Sequence, residues 1–312
     1  MNKIAITLGD PNGISPEITI KALNFLDLPQ DKVVLIANKE ILDYYNEEFD
    51  LSLEKDYEII EVPYRKEDIK IGEETEAAGE FSFRSLVKAC NLATNQEIDA
   101  IVTAPVSKNA MKMAGHNYSG QTEVIEQYLA QIHQNAEMIF VCDKFSVFLM
   151  TRHIALKDVP EKIKKDFIIR KIEKLEKSLK LQLGISNPKI AICSLNPHAS
   201  ENGMFGDEEI NEIIPAVEEL KVRGINIEGP FPSDALFTKC ATEECNYDCY
   251  VAMYHDQGLI PIKLMERDNS VNTTIGLDVL RTSPAHGTAF DIAGKNVANE
   301  TSMIKAIELA IK

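Results

Sequence analysis

Three histidines stand just after apolar runs of the sequence. His153 follows FSVFLMTR, His198 follows KIAICSLNP and His255 follows CYVAMY. Such runs predict buried strands, and in a parallel sheet the ligand site lies beyond the carboxyl ends of the strands. One such histidine alone would be an ordinary loop or core residue, but three imidazoles at one edge suit a divalent metal with open positions. Asp256 is expected to orient an imidazole or help hold the cation.

Cations and polar side chains near these turns predict a site for an anionic ligand. One group lies just after the His255 turn, and another surrounds a predicted strand end and the start of the next helix. The candidates are Lys108, Gln121, Thr122, Lys263, Asn272 and Arg281. The first N–H groups of a helix and the Thr122 hydroxyl suit a phosphate. Lys108 is also a candidate for the proton-transfer path.

The overall charge and hydropathy argue against several classes of partner. The formal net charge is −16 at pH 7, which disfavours nonspecific attraction to nucleic acid or to an acidic membrane. No apolar run approaches the roughly 20 residues that span a bilayer, and the start, MNKIAITLGD, carries no signal-peptide pattern. We therefore expect a cytoplasmic protein that binds anions only where cations gather locally.

The cysteines predict no metal cluster. They stand at positions 90, 142, 193, 240, 245 and 249, mostly inside apolar runs, where a reduced thiol behaves as a small hydrophobic group. The last three lack the paired CxxC spacing of a zinc site, and His255 is the only nearby fourth ligand. We expect reduced thiols and no zinc cluster.

Apolar runs alternate with helical patterns along the chain. Predicted strands cover 4–9, 33–38, 57–63, 99–105, 138–142, 145–150, 189–195 and 249–254. The clearest helix is predicted over 160–183, where apolar residues at near-helical spacing among lysines and glutamates indicate an amphipathic helix with a solvated charged face. Strands alternating with helices predict an α/β fold with a mainly parallel sheet covered on both faces.

The N-terminal segment GDPNGISPEI has turn glycines but no nucleotide fingerprint. It follows a predicted strand and opens a helix, with Ser15 as the expected N-cap and Pro16 at the first helical position. It matches neither the GxGxxG dinucleotide pattern nor a P-loop. A nicotinamide cofactor would therefore bind without the usual Rossmann turn.

An ordered series of motifs resembles the 4-hydroxythreonine-4-phosphate dehydrogenase family. The motifs are GDPNGISPEI, TAPVSK, GQTE, LMTRHIAL, SLNPHASENG, GPFPSDALF, AMYHDQGLIPIK and VNTTIGLDVLRTSPAHGTAFDIAGK. GDPNGISPEI and HGTAFDIAGKNVAN are also similar, more distantly, to segments of isopropylmalate and isocitrate dehydrogenases. The resemblance implies a two-domain α/β/α fold like that of those two enzymes, with a mainly parallel sheet and a non-Rossmann NAD site.

The resemblance also implies how the chain is organised. We expect a first, discontinuous α/β domain over 1–130 plus 285–312, and a second α/β domain over 131–284 that carries a dimer interface. Members of the family are homodimers with active sites at the subunit interface, where the metal ligands come from both chains. One chain alone is then not expected to hold a complete site.

The resemblance assigns roles to matching positions. The ligands of a divalent cation (Zn, Mg or Co) are His153, His198 and His255. The substrate-binding positions are Gln121, Thr122, Lys263, Asn272 and Arg281. The positions near the adenosine end of NAD or NADP are Gly287, Asp291 and Asn299, and the catalytic candidates are Asp256 and Lys108.

One position departs from the family. Where the family commonly has His-Thr, this chain has Gln121-Thr122. A glutamine amide can donate a hydrogen bond but cannot become cationic, so a phosphate would bind with less charge assistance.

The reaction implied by the resemblance is the oxidation of a secondary alcohol. The expected substrate is 4-phosphooxy-L-threonine, the hydride acceptor is NAD or NADP, and a bound cation would ease loss of the hydroxyl proton. Decarboxylation then yields 3-amino-2-oxopropyl phosphate, a precursor of pyridoxine phosphate. Three alternatives stay open: a dehydrogenase of a phosphorylated threonate or erythronate, a phosphate acyltransferase on a related fold, and a noncatalytic metal-dependent binding protein.

Overall fold

The computed structural model describes residues 1–129, 135–242 and 245–312. The chain divides into two compact units, Met1–Ala136 with Val271–Lys312, and Glu137–Ser270. The sequence predicted that the chain re-enters the first unit at residue 285, whereas in the structure it does so at Val271. The reason for the difference is that the segment from 271 to 284 forms two strands that pair with each other, and the second of them also pairs with Ala100–Thr103 of the first unit.

The strands follow the predicted apolar runs closely. They are β1 Ile4–Thr7, β2 Val33–Ala37, β3 Glu58–Glu61, β4 Ala100–Thr103, β5 Glu137–Val141, β6 Ser146–Leu149, β7 Ile190–Cys193, β8 Ile227–Phe231, β9 Cys249–Ala252, β10 Val271–Ile275 and β11 Leu280–Pro284. β1, β4, β6, β7 and β9 are buried at every residue. A strand covered on both faces needs a continuous apolar run, which is why these strands are readable from the sequence.

The strands of each unit form a mainly parallel arrangement. In the first unit the order is β3-β2-β1-β4-β11-β10, with β10 antiparallel to β11 and the other neighbours parallel. In the second unit the order is β5-β6-β9-β7-β8, with β5 antiparallel to β6 and the other neighbours parallel. The predicted α/β class with a mainly parallel sheet is confirmed.

Helices connect most of the strands. They are α1 Ser15–Leu26, α2 Lys39–Phe49, α3 Glu76–Thr94, α4 Lys108–Met113, α5 Gln121–Leu129, α6 Val159–Lys162, α7 Lys165–Leu181, α8 Ile214–Val222, α9 Ser233–Thr242, α10 His255–Met265 and α11 Thr301–Ile311. A π-helical turn over Glu209–Ile213 precedes α8, and 3₁₀ turns occur at Gln30–Lys32, Lys66–Asp68, Leu156–Asp158 and Pro197–Glu201. No helix in the described part of the chain is long and apolar enough to cross a bilayer.

Two local predictions about helices were wrong. Ser15 does not cap α1, because the N-cap is Ile14 and the Ser15 hydroxyl donates to the carbonyl oxygen of Pro105 at 2.7 Å. The predicted helix over 160–183 is two helices, α6 and α7, and its charged face is not wholly solvated. Lys171 of α7 is only 8% exposed. Its Nζ lies 2.8 Å from Oε2 of Glu137 and donates to the carbonyl oxygens of Leu149 and Met150 at the end of β6.

Helix α10 packs unusually close to the strands that precede it. A Cβ atom at Gly258 would lie 2.8 Å from Cγ1 of Val147 and 3.0 Å from both Cβ of Ala252 and Cδ2 of Leu149. These three neighbours are fully buried on β6 and β9, so they have little room to move. Glycine at this position therefore sets how near the first turn of α10 lies to the ends of the two strands.

We expect Gly258→Ala to lower the free energy of unfolding by about 1–3 kcal/mol, because overpacking outweighs the better helix propensity of alanine. Urea denaturation measures the effect. Gly287→Ala is the matched control, since a Cβ there meets nothing within 4 Å and should change stability little. Equal stability of the two variants would contradict the close packing of α10.

Candidate functional site

The guanidinium of Arg281 is a buried cation without an acidic partner. Arg281 lies on β11 and is 2% exposed. Its Nε and Nη2 donate to the hydroxyl of Thr103 at 3.0 and 2.5 Å, and its Nη1 approaches the hydroxyl of Thr274 at 3.5 Å. No carboxylate of the described residues forms an ion pair with it. Burial lowers the pKa of Arg281 to about 10, an effect that Glu123 opposes, so the group stays protonated at neutral pH.

A buried, unpaired charge is costly, by several kcal/mol per ion. Arginine presents five N–H donors in a planar fork that matches carboxylate and phosphate oxygens. Hydroxyl acceptors do not neutralise its charge. The site around Arg281 is therefore suited to an anionic ligand.

Asn272 lies on the same face of the sheet as Arg281. Thr274 is directly opposite Arg281 in the antiparallel pair of β10 and β11, and Asn272 is opposite Ser283. Opposed residues share a face, as do residues two apart along a strand, so Asn272 is on the Arg281 side. Oδ1 of Asn272 is buried without a hydrogen-bond partner, which leaves an acceptor for a donor group of a ligand.

The start of α5 brings a second set of predicted residues together. Thr122 is 5% exposed in the first turn of the helix. A Cβ built at Gly120 would lie 3.9 Å from Nζ of Lys108, so this ammonium group lies beside the helix N-terminus. Nε2 of Gln121 donates to the carbonyl oxygen of Ala104 at 3.2 Å, next in sequence to the Thr103 that contacts Arg281.

The amide of Gln121 has a defined orientation. The Ala104 carbonyl oxygen only accepts hydrogen bonds, so the nitrogen of the amide must face it. The oxygen, Oε1, is buried without a partner. The sequence suggested that Gln121 donates to a phosphate, whereas the group left unsatisfied is an acceptor. This acceptor suits an N–H or O–H of a ligand better than a phosphate oxygen.

Two of the three predicted metal ligands lie side by side in the second unit. The rings of His153 and His255 have centroids 5.7 Å apart. Nδ1 of His255 lies 2.7 Å from Oδ1 of Asp256, the contact expected of a carboxylate that orients an imidazole. His198 contacts the ring of Phe205 at a centroid distance of 6.1 Å. Within residues 1–129, 135–242 and 245–312, no group of three or more His, Cys, Asp or Glu residues could hold a metal ion.

The donor set nonetheless has the right chemistry for a divalent cation. Adjacent imidazoles with a carboxylate behind one of them are characteristic ligands of such ions. The role of His198 as a third ligand stays a prediction, as does the contribution of ligands from two chains.

Lys263 lies on the same helix as His255 and is exposed; its contact with substrate also stays a prediction.

The turn that carries His198 has a rare backbone conformation. Residues His198 to Asn202 all have positive φ, between 46° and 66°. A left-handed residue that is not glycine costs roughly 1–2 kcal/mol, so this turn needs support from its surroundings. The support comes from Glu209, a fully buried residue of the π-helical turn. Its Oε1 accepts hydrogen bonds from the backbone N–H groups of Leu195 and Asn196 at 2.7 and 2.8 Å.

The sequence did not single out Glu209, Thr103 or Thr274. Glu209 lies within a run of charged residues that reads as a solvated helix surface, and the two threonines lie within strands. The available signal was position: Thr103 is the first residue of the TAPVSK motif and lies near the carboxyl end of the strand predicted over 99–105, where side chains reach the ligand edge.

The two segments proposed for the cofactor lie against each other in the first unit. The backbone N–H of Ile14 donates to the carbonyl oxygen of Thr288 at 3.0 Å, and a Cβ at Gly13 would lie 2.7 Å from that oxygen. Gly287 is exposed with open space around it, which allows a ligand to approach the backbone. This arrangement fits a nucleotide held by loops instead of a Rossmann turn.

The other two cofactor candidates already have local contacts. Oδ1 of Asn299 accepts from the backbone N–H of Thr301 at 2.9 Å at the start of α11. The backbone oxygen of Asp291 accepts from Nζ of Lys295 at 2.7 Å, and its carboxylate is exposed on the loop. Asn299 therefore stabilises a helix end, and cofactor contacts of both residues stay predictions.

Asp10 is a buried carboxyl group in the GDPNG loop. It is 0% exposed, its Oδ1 accepts from the backbone N–H of Asn12 at 2.9 Å, and its Oδ2 is buried without a partner. Burial raises the pKa of Asp10 to about 6, although the hydrogen bond from the backbone N–H of Asn12 opposes the shift. Ionisation of this buried carboxyl group therefore lowers the free energy of unfolding.

The expectation that all cysteines are reduced thiols was wrong for two of them. Cys240 and Cys245 form a disulfide, with Cα atoms 4.4 Å apart. The two residues lie at and beyond the end of α9, close enough for the bond, which the sequence separation did not indicate. Cys90, Cys142, Cys193 and Cys249 are free and buried, as small hydrophobic groups would be.

Comparison with known proteins places the chain in a family. The model of the family described as pyridoxal phosphate biosynthetic protein PdxA matches residues 4–310. The 4-hydroxythreonine-4-phosphate dehydrogenase of Sulfurihydrogenibium sp. is 42% identical over 323 residues, covering 100% of this chain and 98% of that protein. The D-threonate 4-phosphate dehydrogenase of Cupriavidus necator is 38% identical, with 97% and 95% covered. A crystal structure of 4-hydroxythreonine-4-phosphate dehydrogenase from Klebsiella pneumoniae has a TM-score of 0.85 at 36% identity, covering 99% of this chain and 98% of that one.

The chain belongs to the PdxA family. The family predicted from the motif series is confirmed, and so is the class of enzyme, a dehydrogenase. Relatives named for two different substrates are 38–42% identical to this PdxA protein, so family membership alone does not select the substrate.

For Arg281 of this PdxA protein we expect inorganic phosphate to stabilise the wild type and to leave Arg281→Met unchanged. A ligand at 100 times its Kd adds about 2.7 kcal/mol to the free energy of unfolding. Methionine removes the unpaired charge, so the variant without phosphate should be as stable as the wild type or more so. Thermal unfolding across a phosphate titration measures both effects.

The matched control for that titration is Arg65→Met, because Arg65 is exposed and pairs with Asp68. This control should keep the full response to phosphate. Equal stabilisation of Arg281→Met and the wild type would show that the anion binds elsewhere.

For Asp10 we expect a stability difference that depends on pH. Its folded-state pKa of about 6 exceeds the ordinary value of 3.8 for an aspartate, so the folded state binds the proton more tightly and wild-type stability falls as pH rises through this window. Asp10→Asn removes the titration and should raise the free energy of unfolding at pH 7.5 by up to about 3 kcal/mol.

The difference between Asp10→Asn and the wild type should shrink towards pH 4.5, and urea unfolding across the pH range would measure it. Asp31→Asn, which alters an exposed carboxylate, serves as the control. A difference that stays constant with pH would contradict the raised pKa.

Proposed function

We propose that this chain catalyses the metal-dependent, NAD(P)-linked oxidation of 4-phosphooxy-L-threonine to 2-amino-3-oxo-4-phosphooxybutanoate. The product then decarboxylates to 3-amino-2-oxopropyl phosphate, a step of pyridoxal and pyridoxine 5′-phosphate biosynthesis. Membership of the PdxA family and the name of the relative from Sulfurihydrogenibium sp. support the proposal. The structural observation that carries it is the buried guanidinium of Arg281, which forms no ion pair with any carboxylate of the described residues.

The substrate carries negative charge at its phosphate and its carboxylate, which a chain of net charge −16 would repel without local compensation. Arg281 supplies a fixed positive charge at a buried position. Lys108 and the first N–H groups of α5, with the hydroxyl of Thr122, offer further donors. Lys263 is proposed to add charge from α10. Together these groups bind and orient the substrate.

His153 and His255 are the residues proposed to hold the divalent cation, with His198 as the third ligand. When bound, the cation would lower the pKa of the substrate hydroxyl and stabilise negative charge on oxygen. Asp256 keeps the His255 ring in one orientation through its 2.7 Å contact with Nδ1. This contact leaves Nε2 of His255 to face a ligand.

The oxidation removes a hydride from carbon and a proton from oxygen. NAD or NADP takes the hydride, and we propose that the loops around Gly13 and Gly287 bind the cofactor. The proton leaves to a basic group that no described contact identifies, and Lys108, whose Nζ lies beside the start of α5, is a candidate for the path by which it leaves. We propose that the active form is a homodimer whose chains both contribute to each site.

A second candidate function is oxidation of a phosphorylated threonate. The relative from Cupriavidus necator is named for that substrate. The phosphorylated threonate bears a hydroxyl where 4-phosphooxy-L-threonine bears an ammonium group. The unpartnered Oε1 of Gln121 can accept a hydrogen bond from either group. The histidine common in the family at this position is absent here, which keeps this candidate open.

A spectrophotometric assay of NADH and NADPH formation tests both functions. We expect reduction with 4-phosphooxy-L-threonine in the presence of Zn²⁺, Mg²⁺ or Co²⁺, and loss of activity after a chelator that is regained when metal is added back. Faster turnover with D-threonate 4-phosphate would favour the second candidate. No reduction with either substrate under added metal would contradict the dehydrogenase function proposed for this chain.

A further inference from the structure

The side chain of Gln257 joins the ends of two strands in the second unit. Gln257 is in the first turn of α10 and is 8% exposed. Its Oε1 accepts a hydrogen bond from the backbone N–H of Met253 at 2.7 Å, and its Nε2 donates to the carbonyl oxygen of Ser194 at 2.8 Å. Met253 directly follows β9, and Ser194 directly follows β7.

A third strand end is attached to the same point. The hydroxyl of Thr151 donates to the carbonyl oxygen of Met253 at 2.7 Å, and the backbone N–H of Thr151 approaches the same oxygen at 3.2 Å. Thr151 follows β6. The ends of β6, β9 and β7 are therefore tied in series through Thr151, Met253, Gln257 and Ser194.

Each tied position lies just before one of the predicted metal ligands. Thr151 and Met253 each come two residues before a histidine, His153 and His255, and Ser194 comes four residues before His198. The regular pairing of β7 with β9 reaches Ile192 and Val251. Beyond it, the amide of Gln257 replaces the missing backbone partners and sets the spacing of the turns that follow.

Few side chains could make both contacts. A backbone N–H requires an acceptor and a backbone carbonyl requires a donor, and an amide offers both in one planar group. A carboxylate would place a second acceptor against the Ser194 carbonyl. An apolar side chain would leave two buried backbone groups unsatisfied, at about 1–3 kcal/mol for each.

We propose that Gln257 is a positioning residue that fixes how the histidine turns of each chain leave the sheet, and through them the affinity of the assembled protein for a divalent cation. The inference rests on the proposed metal-binding function. Both ends of the Gln257 amide are bonded to backbone groups, so the role proposed for it is to position other residues. Groups that orient metal ligands typically change metal affinity about 10–100-fold when they are removed, because the ligands must arrive in one geometry.

The experiment measures metal affinity directly, on the full chain. Zn²⁺ binding is measured by competition with a chromogenic chelator, and the Co²⁺ absorption spectrum reports the geometry of the ligands. We expect Gln257→Met to weaken Zn²⁺ binding at least about 10-fold and to change the Co²⁺ spectrum. Gln257→Glu keeps the acceptor for Met253 and removes the donor for Ser194, so it should weaken binding even if the methionine variant folds poorly.

A matched control exists at the opposite ends of the same two strands. Oδ2 of Asp248 accepts a hydrogen bond from the backbone N–H of Lys189 at 2.7 Å, just before β9 and β7. Asp248→Ala removes this side-chain tie and should lower thermal stability without changing Zn²⁺ affinity.

The outcomes separate this inference from the proposed function. Unchanged Zn²⁺ affinity in both Gln257 variants would overturn the inference and leave the metal-dependent function standing. An equal loss in Asp248→Ala would overturn it too, because any weakening of the sheet would then suffice. Absence of stoichiometric Zn²⁺ or Co²⁺ binding by the wild-type protein would overturn the metal-dependent function and the inference together.

Discussion

The regular hydrogen bonds of a sheet stop where a strand ends, yet the backbone N–H and carbonyl groups just past the strand are still buried. The structure of the second unit depends on how these groups find partners. β6, β7 and β9 are apolar and fully buried along their length. Just past them the backbone must find other partners, because an unsatisfied buried N–H or carbonyl is costly. Side chains meet the need: Thr151 and Gln257 at the strand ends, and Lys171 under the end of β6.

The same side chains hold the turns that carry the histidines. Glu209 adds support under the left-handed turn at His198, a conformation that its own residues disfavour. Strain at this position is consistent with a functional role, because such backbone persists only where the surroundings stabilise it. The proximity of His153 and His255 is thus supported by hydrogen bonds of residues two positions away from each histidine along the chain.

The first unit is organised around a charge instead. Arg281 is held by threonine hydroxyls that orient its guanidinium without neutralising it. The unsatisfied oxygens of Gln121 and Asn272 add acceptors in the same unit. A positive charge and these acceptor oxygens suit a ligand that has both anionic groups and hydrogen-bond donors, as a phosphorylated hydroxy acid has.

Much of the fold could be predicted because buried parallel strands need continuous apolar runs. β8, β10 and β11 were missed since their sequences, IEGPF, VNTTI and LRTSP, contain glycine, proline or polar residues. Proline is tolerated at a sheet edge, and β8 is the last strand in its order. Most polar residues of β10 and β11 are buried and have specific partners: Arg281 donates to Thr103, and Thr282 donates to the carbonyl oxygen of Ala306. No local pattern reveals these contacts.

The sequence by itself determined the family, the α/β class and the residue types of the candidate site, because motifs and apolar runs are properties of contiguous segments. Only the tertiary structure decided which groups meet. It placed His153 beside His255, buried the oxygen of Gln121 without a hydrogen-bond partner, joined Cys240 to Cys245 and buried Lys171 against Glu137. These outcomes depend on distances between residues far apart in the chain or on the burial of single atoms, and spacing along the sequence specifies neither.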